Sequence, residues 1–311
     1  MTIPLPELCE ALARRLRERV LPELGSHAGR VHGAMGAGGD VTFAIDEGAE
    51  AELEAFLAEH APELAFYSED RGLVAPPGAE HVLVVDPIDG TRPAMAGLES
   101  ACVSVAAAPL AHGEPTMGAV EVATIVEVKT GREYHAVRGG GVRSTAPVAL
   151  SANTSLDRMF WTYGFRGRPS RMTVEVLCDL IDGSSVGGAT FELGSACFDS
   201  MCVLTGQLDA YLEPGPRLIA EIPSARAAFE RVGNGHVLNN SPYDLAAAVL
   251  LLEEAGAVVT DATGRTLRDR PLLGSGAEYQ MSILACGNAE LHALVLAEVD
   301  RGIERARARF G

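Results

Sequence analysis

Apolar residues recur along this chain with two different spacings. Over 7–21, 46–60, 171–182, 195–206 and 243–255 they fall three or four apart, which gathers them on one face of a helix. The second of these stretches opens with Asp46 and Glu47, acids at the end where the helix dipole favours them. Short aliphatic and β-branched runs at 64–67, 81–85, 101–108, 117–127, 133–137, 208–212 and 257–260 predict strands. The run at 81–85, His-Val-Leu-Val-Val, shows no polar alternation and predicts a strand buried on both faces. Turns are expected at Lys129-Thr130-Gly131 and at Gly139-Gly140-Gly141. The glycine-rich segment 33–39 reads as a mobile linker. A phosphate-cradling loop would follow a strand and end in GK[ST], and no such context is visible here.

After two helices the first half is strand-rich; beyond about residue 150 helices and strands alternate. A length of 311 residues exceeds what one hydrophobic core usually fills. The expected class is therefore α/β, with an α+β domain over 1–148 and an α/β domain over 149–311. Apolar residues at 47% supply a sizeable core, which argues against disorder over most of the chain.

Charge narrows the function. A formal net charge of −17, with Lys129 the sole lysine, excludes a sequence-independent grip on a nucleic acid polymer, which needs clustered cations. An acidic protein still binds phosphate where metal ions supply the positive charge. The first helical stretch is interrupted by Arg14, Arg15, Arg17 and Arg19, so it lacks the apolar core of a signal peptide. No run is long and apolar enough to span a bilayer, and a cytoplasmic location with no membrane partner is expected. The six cysteines form no CxxC pair and sit among aliphatic residues, so buried free thiols are expected.

Candidate chemistry gathers where acids interrupt apolar elements. The strand at 81–85 runs into Asp86-Pro87-Ile88-Asp89-Gly90-Thr91, which sets two carboxylates three residues apart in a tight turn. Gly90 permits backbone angles closed to other residues there. Tyr67-Ser68-Glu69-Asp70 adds acids after another strand, and Tyr243-Asp244 precedes an apolar helix. Carboxylates with a carbonyl and water are the ligands that magnesium prefers, whereas softer metals would call for His or Cys. None of the eight histidines stands in an HExxH pattern.

With these motifs the sequence resembles the inositol monophosphatase family. The family's strand followed by DPIDGT is intact, and its second motif is matched by Tyr243-Asp244-Leu-Ala-Ala-Ala248 with Glu254-Ala-Gly-Ala-Val-Val-Thr-Asp261. Weaker matches are Ser68-Glu69-Asp70, Asp40-Val-Thr-Phe-Ala-Ile-Asp46, and Gly194-Ser-Ala-Cys-Phe-Asp199 through Leu208-Asp-Ala-Tyr-Leu-Glu213. Together they cover about residues 5 to 300. The resemblance implies a layered αβαβα fold and magnesium-dependent hydrolysis of a small phosphate monoester.

It also implies roles. Glu69, Asp86 and the Ile88 carbonyl would bind one Mg2+, and Asp86, Asp89 and Asp244 a second; a third, weaker ion would share Glu69. Thr91, oriented by Asp46, would help deprotonate the attacking water, while the N–H groups of Gly90 and Thr91 would face the phosphate. Gly194, Ser195, Ala196 and Glu213 would contact the alcohol portion. A homodimer is also implied, for which the apolar stretches 101–108 and 117–127 offer surface, although a buried core explains them equally well.

Departures from the family bear on substrate choice. Arg92 stands where inositol phosphatases carry Thr or Ser, and is similar to relatives acting on histidinol phosphate or adenosine bisphosphate. Phe191-Glu192-Leu193 replaces an expected Arg. The segment 214–243 is far longer than in typical members and includes a helical 222–232 with Arg226 and Arg231; it is expected to act as a lid or specificity element. The alternatives are a phosphatase for histidinol phosphate, a sugar bisphosphate or a 3′-phosphonucleotide, or a non-catalytic protein that senses metabolites or metal.

Overall fold

The computed structural model describes residues 3–26, 32–35, 41–110 and 113–311. Five layers stack in the order helix, sheet, helix, sheet, helix. The outer pair of helices, α1 (Leu5–Val20) and α2 (Ala44–His60), covers one face of a seven-stranded sheet. That sheet contains β3 (Ala65–Ser68), β4 (Gly72–Val74), β5 (His81–Asp89), β6 (Cys102–Pro109), β7 (Val122–Glu127), β8 (Glu133–Val137) and β9 (Val142–Ser144), ordered β4-β3-β5-β6-β7-β8-β9. A short hairpin of β1 (His32–Met35) and β2 (Val41–Phe43) precedes α2, and α3 (Thr91–Ala96) follows β5.

The middle layer is α5 (Ala196–Leu204) and α8 (Pro242–Ala255), buried between the two sheets. The second sheet runs β11 (Ala189–Phe191), β10 (Phe160–Tyr163), β12 (Ala210–Glu213), β14 (Ile283–Cys286) and β13 (Val258–Thr260) in spatial order. Its far face carries α4 (Ser170–Gly183), α6 (Gly215–Glu221), α7 (Ala225–Val232) and α9 (Ala289–Phe310).

Side-chain alternation explains the stacking. Along β5, Val82 and Val84 enter the middle layer while Leu83 and Val85 pack under α1 and α2. Along β14, Ile283 and Ala285 face the middle layer, and Leu284 and Cys286 face α4 and α9. Both faces of each strand are apolar because each face is covered. α8 is apolar almost all round for the same reason, with Leu245 through Leu252 buried. Five of the six cysteines are buried free thiols, and Cys178 is half-buried.

Several expectations shift. The segment 33–39 does not read as a linker throughout, since His32–Met35 is a strand paired with Val41–Phe43; 36–40, including Asp40 of the matched motif, lie outside the described residues. The stretches 101–108 and 117–127 offer little surface for a dimer: Ala101–Ala108 and Val122–Val128 are buried inside this chain's own layers. The helix expected over 222–232 starts only at Ala225, as α7, because Ile222 before Pro223 is extended; a separate helix, α6, precedes it over Gly215–Glu221. Both pack Leu218, Ile222, Ala225 and Phe229 into the core beside Trp161 and Leu177. Arg217 pairs with Asp300 at 2.7 Å, fastening the segment to α9. Among the described residues no helix is long and apolar enough to cross a membrane.

Candidate active site

The site forms where β5 ends. β3 runs parallel to β5 with Ser68 beside Val85, so Glu69 emerges next to Asp86. On its other edge β5 pairs with β6, Asp86 opposite Ser104 and Asp89 opposite Cys102, with a shift of register between the two acids at Pro87-Ile88. Gly90 follows with φ 89° and ψ 42° and caps α3. A Cβ at Gly90 would lie 2.5 Å from the Ser100 carbonyl oxygen and 2.9 Å from Ser195 Cβ, so only glycine fits the turn.

The carboxylates of Asp86, Asp89, Asp244 and Asp46 are held by hydrogen bonds from backbone or hydroxyl groups. Asp86 Oδ1 accepts the Ile88 N–H at 3.0 Å. Asp89 Oδ2 accepts the Ser195 hydroxyl at 2.7 Å and the Cys197 N–H at 2.5 Å, tying β5 to the first turn of α5. Ser195 also caps α5, its Oγ accepting the Phe198 N–H at 3.1 Å. Asp244 Oδ2 accepts the Ser241 N–H at 2.6 Å in the first turn of α8. Asp46 Oδ2 accepts the Phe43 N–H at 2.8 Å, and its Oδ1 lies 2.9 Å from Thr91 Oγ1. Thr91 Oγ1 is also 3.1 Å from the Ile88 carbonyl oxygen, and its one proton serves one of these acceptors at a time.

Oxygens of Asp86, Asp89 and Asp244 converge within 4.8 Å of one another. Burial, then the charges of Asp89, Glu69 and Asp244, push Asp86 well above the usual carboxylate range. Asp89 is raised by burial, against which the Ser195 and Cys197 hydrogen bonds work. Asp244 is raised by burial and then by the Asp89 charge. One cavity is lined by Asp46, Glu69, Asp70, Asp86, Ile88, Asp89, Gly90, Thr91, Arg92, Arg166, Gly194 and Asp244. Mutually repelling carboxylates with a carbonyl, and no His or Cys among them, are a donor set that fits a hard divalent cation. Arg92 lies over the Phe43 ring, 5.3 Å from its centroid.

A second cavity adjoins the first. Asp89, Arg166, Gly194 and Asp244 line both; Glu192, Ser195, Ala196, Asp199, Arg168, Tyr211 and Asn240 continue the wall of the second. Glu213, expected to touch substrate, lines neither cavity. It is fully buried; its Oε1 accepts the Arg168 Nε–H at 3.2 Å and the Gly215 N–H at 2.8 Å. Arg168 thus stands between Glu213 and the cavity, and also donates to the Arg166 carbonyl at 2.5 Å and to Asn240 Oδ1 at 3.4 Å. Of the described residues of 214–243, Asn240 reaches the second cavity, whereas Arg226 and Arg231 line neither.

Arg166, Arg168, Asp199 and Asn240 were not among the expected site residues. The pair of arginines in Phe165-Arg166-Gly167-Arg168, just after β10 and before α4, is the signal that could have found two of them. Asp199 is buried, accepts the Thr162 hydroxyl at 3.0 Å and is pushed well above the usual carboxylate range by burial.

A polar cleft at strand and helix ends, walled by buried carboxylates on a five-layer αβαβα scaffold, is a site that could hold a divalent cation. The model of the inositol monophosphatase family matches residues 7–304, and the chain belongs to that family. It is accordingly a phosphatase, a phosphoric monoester hydrolase. A fructose-1,6-bisphosphatase/inositol-1-monophosphatase of Methanothermobacter thermautotrophicus is 29% identical over 303 residues, covering 93% of this chain and 94% of the relative. A Nus factor SuhB of Vibrio cholerae is 24% identical, over 85% of this chain and 87% of the relative. The crystal structure of the extragenic suppressor protein suhB from Bartonella henselae superposes with a TM-score of 0.71 at 20% identity, covering 95% of this chain and 98% of that one.

Proposed function

We propose that this protein hydrolyses a small phosphate monoester with two or three Mg2+ ions held by Glu69, Asp86, Asp89, Asp244 and the Ile88 carbonyl. The observation that carries the reading is the convergence of Asp86, Asp89 and Asp244 within 4.8 Å. Carboxylates this close in a buried site repel unless cations or protons separate them. Bound divalent ions would acidify a water and neutralise charge on the phosphoryl oxygens.

The chain's own groups position that water. With its proton donated to Asp46 Oδ1 at 2.9 Å, Thr91 Oγ1 keeps its lone pairs for a proton from the water. Asp46 is fixed at the start of α2 by the Phe43 N–H, so the acceptor it offers the Thr91 hydroxyl has a set place. The N–H groups of Gly90 and Thr91 would face the phosphate, and Gly194, Ser195 and Ala196 its alcohol portion. Arg92, stacked on Phe43, borders the cleft.

One observation favours a second reading within this activity. Arg166 lines both cavities, and Arg168 presents a guanidinium where Glu213 would otherwise face the opening. That wall suits an alcohol portion bearing another anionic group, such as a sugar bisphosphate or a 3′-phosphonucleotide. The name of the Methanothermobacter relative includes a bisphosphatase activity.

Phosphate release should be measured from inositol 1-phosphate, histidinol phosphate, fructose 1,6-bisphosphate and adenosine 3′,5′-bisphosphate, with Mg2+ and with excess chelator. Turnover of at least one ester that needs Mg2+ is the expected result; undiminished turnover in chelator would sink the reading. We also place the protein in the cytoplasm as a homodimer that does not grip nucleic acid, the last in keeping with the net charge of −17. A monomeric mass by light scattering at micromolar concentration would remove the dimer.

A further inference from the structure

α2 carries a buried carboxylate that the reaction outlined above does not use. Glu50 is 1% exposed and sits one helical turn after Asp46, so both side chains leave the same face of α2. Its Oε2 accepts the Ser68 hydroxyl at 2.8 Å, and its Oε1 accepts the Asp70 N–H at 3.3 Å. These two donors flank Glu69 on either side. The turn is tied further: Ser68 Oγ accepts the Arg71 N–H at 3.4 Å, and the Arg71 Nε–H donates to Glu54 at 2.8 Å, one more turn along α2.

A carboxylate is a costly group to bury, and one hydroxyl with one amide gives it fewer donors than water would. An apolar side chain would fill the volume without that cost, so the two hydrogen bonds are the feature that sets Glu50 apart. Asp46, Glu50 and Glu54 form a stripe at intervals of four residues. The first holds Thr91, the second the Ser68 hydroxyl and Asp70 amide, and the third Arg71.

We propose that Glu50 is a positioning residue for the metal-binding turn: through Ser68 and the Asp70 amide it holds Glu69 in register with Thr91 on one rigid face of α2. The inference rests on the reading of Glu69 as a metal ligand. Groups that orient a ligand act on metal affinity before they act on the chemical step, because a saturating metal concentration pulls a loosened ligand back into place.

Direct Mn2+ binding, followed by electron paramagnetic resonance of the free ion, tests this on the full chain, alongside activity against metal concentration. Glu50→Ala should weaken Mn2+ binding about ten- to a hundredfold. The metal needed for half-maximal activity should rise by the same factor, while kcat at saturating metal stays within a few-fold. Glu50→Gln should shift affinity less, since its one carbonyl oxygen can still accept the Ser68 hydroxyl. Ser68→Ala should add little on top of Glu50→Ala, because both remove the same contact.

Wild-type Mn2+ affinity in folded Glu50→Ala overturns the proposal, as does a loss confined to kcat. Should Glu50→Ala fail to fold, Glu50→Gln and Ser68→Ala carry the test, and unchanged affinity in both overturns it. A wild-type protein that binds no Mn2+ would overturn the metal reading itself, whereas wild-type binding with unaffected variants overturns only the role of Glu50.

Discussion

The two walls of the cleft are built from different materials. On one side, Asp86 and Asp89 end a buried strand, Asp46 and Asp244 sit in the first turns of α2 and α8, and each accepts a backbone N–H. On the other, Arg166 and Arg168 lie in the connection between β10 and α4, Glu192 and Gly194 in the connection between β11 and α5, and Asn240 just before α8. Groups on strand ends and helix turns are held rigidly, whereas connecting segments can change without disturbing the core. The carboxylate wall is therefore suited to set the chemistry, and the arginine wall to choose the substrate.

That division is open to attack. The largest effect is expected at Asp89→Asn, which should take turnover below detection without unfolding the protein. The amide oxygen can still accept from Ser195 and Cys197, and one buried like charge is gone, so melting in chelator should occur no lower than in the wild type. Wild-type turnover, or a collapsed melting profile, would end the claim that this wall serves chemistry alone. Thr91→Ala should come next, lowering kcat by roughly a hundred- to ten-thousandfold, the range for a lost general-base relay, with KM little changed. A defect confined to KM would move Thr91 to the binding side.

Arg166→Ala should act on the opposite wall. Charged hydrogen bonds contribute about 1.5–3 kcal/mol, and about 1.4 kcal/mol is tenfold. Esters with a second anionic group should therefore lose roughly ten- to a hundredfold in kcat/KM, and simple monoesters much less. An equal loss for all esters would instead assign Arg166 to the transferred phosphate. The smallest effect is expected from replacing Arg226 and Arg231 together by alanine. Both are exposed and away from the cleft, so the ranking of substrates should stay put and stability should change by about 0.5 kcal/mol or less. A reordered ranking would return the segment 214–243 to the role of specificity element through its helices.

The carboxylate wall was legible in the sequence because its parts are local. Asp86 through Thr91 are contiguous, and the apolar run before them fixes where the strand ends. Asp244 is marked by the helix it opens. The arginine wall was not legible, because Arg168 acquires its meaning only from Glu213 and Asn240, which lie 45 and 72 residues away in the chain. The placement of Glu213 outside both cavities was not legible for the same reason: nothing near it in sequence shows that a guanidinium closes over it. Glu50 is marked in the sequence only by its spacing of four from Asp46, and its partners Ser68 and Asp70 lie 18 and 20 residues away. The layers were mostly readable from apolar spacing, yet α6, α9 and strands β1, β2, β4, β9, β10, β11 and β14 escaped. The strands are only three or four residues long, and α9 mixes its apolar stripe with eight charged positions. Pro223 is compatible with the first turn of a helix over 222–232, so sequence alone did not show that Ile222 is extended and that the helix starts at Ala225.

The slip of register between Asp86 and Asp89 has a consequence for how such a centre can change over generations. In an unbroken strand, side chains an odd number of positions apart point to opposite sides of the sheet, so residues spaced like these two could never share a cavity. Here they do, because the ladder to β6 is interrupted at Pro87-Ile88. The meeting of the two carboxylates is thus encoded by an irregularity, and smoothing it would be more damaging than many changes of side chain. Inserting one residue between Cys102 and Ser104 of β6 would tend to restore the ladder. It would also rotate Asp89 and the glycine turn behind it out of the cleft, leaving every acidic residue in the sequence and no place for them to meet.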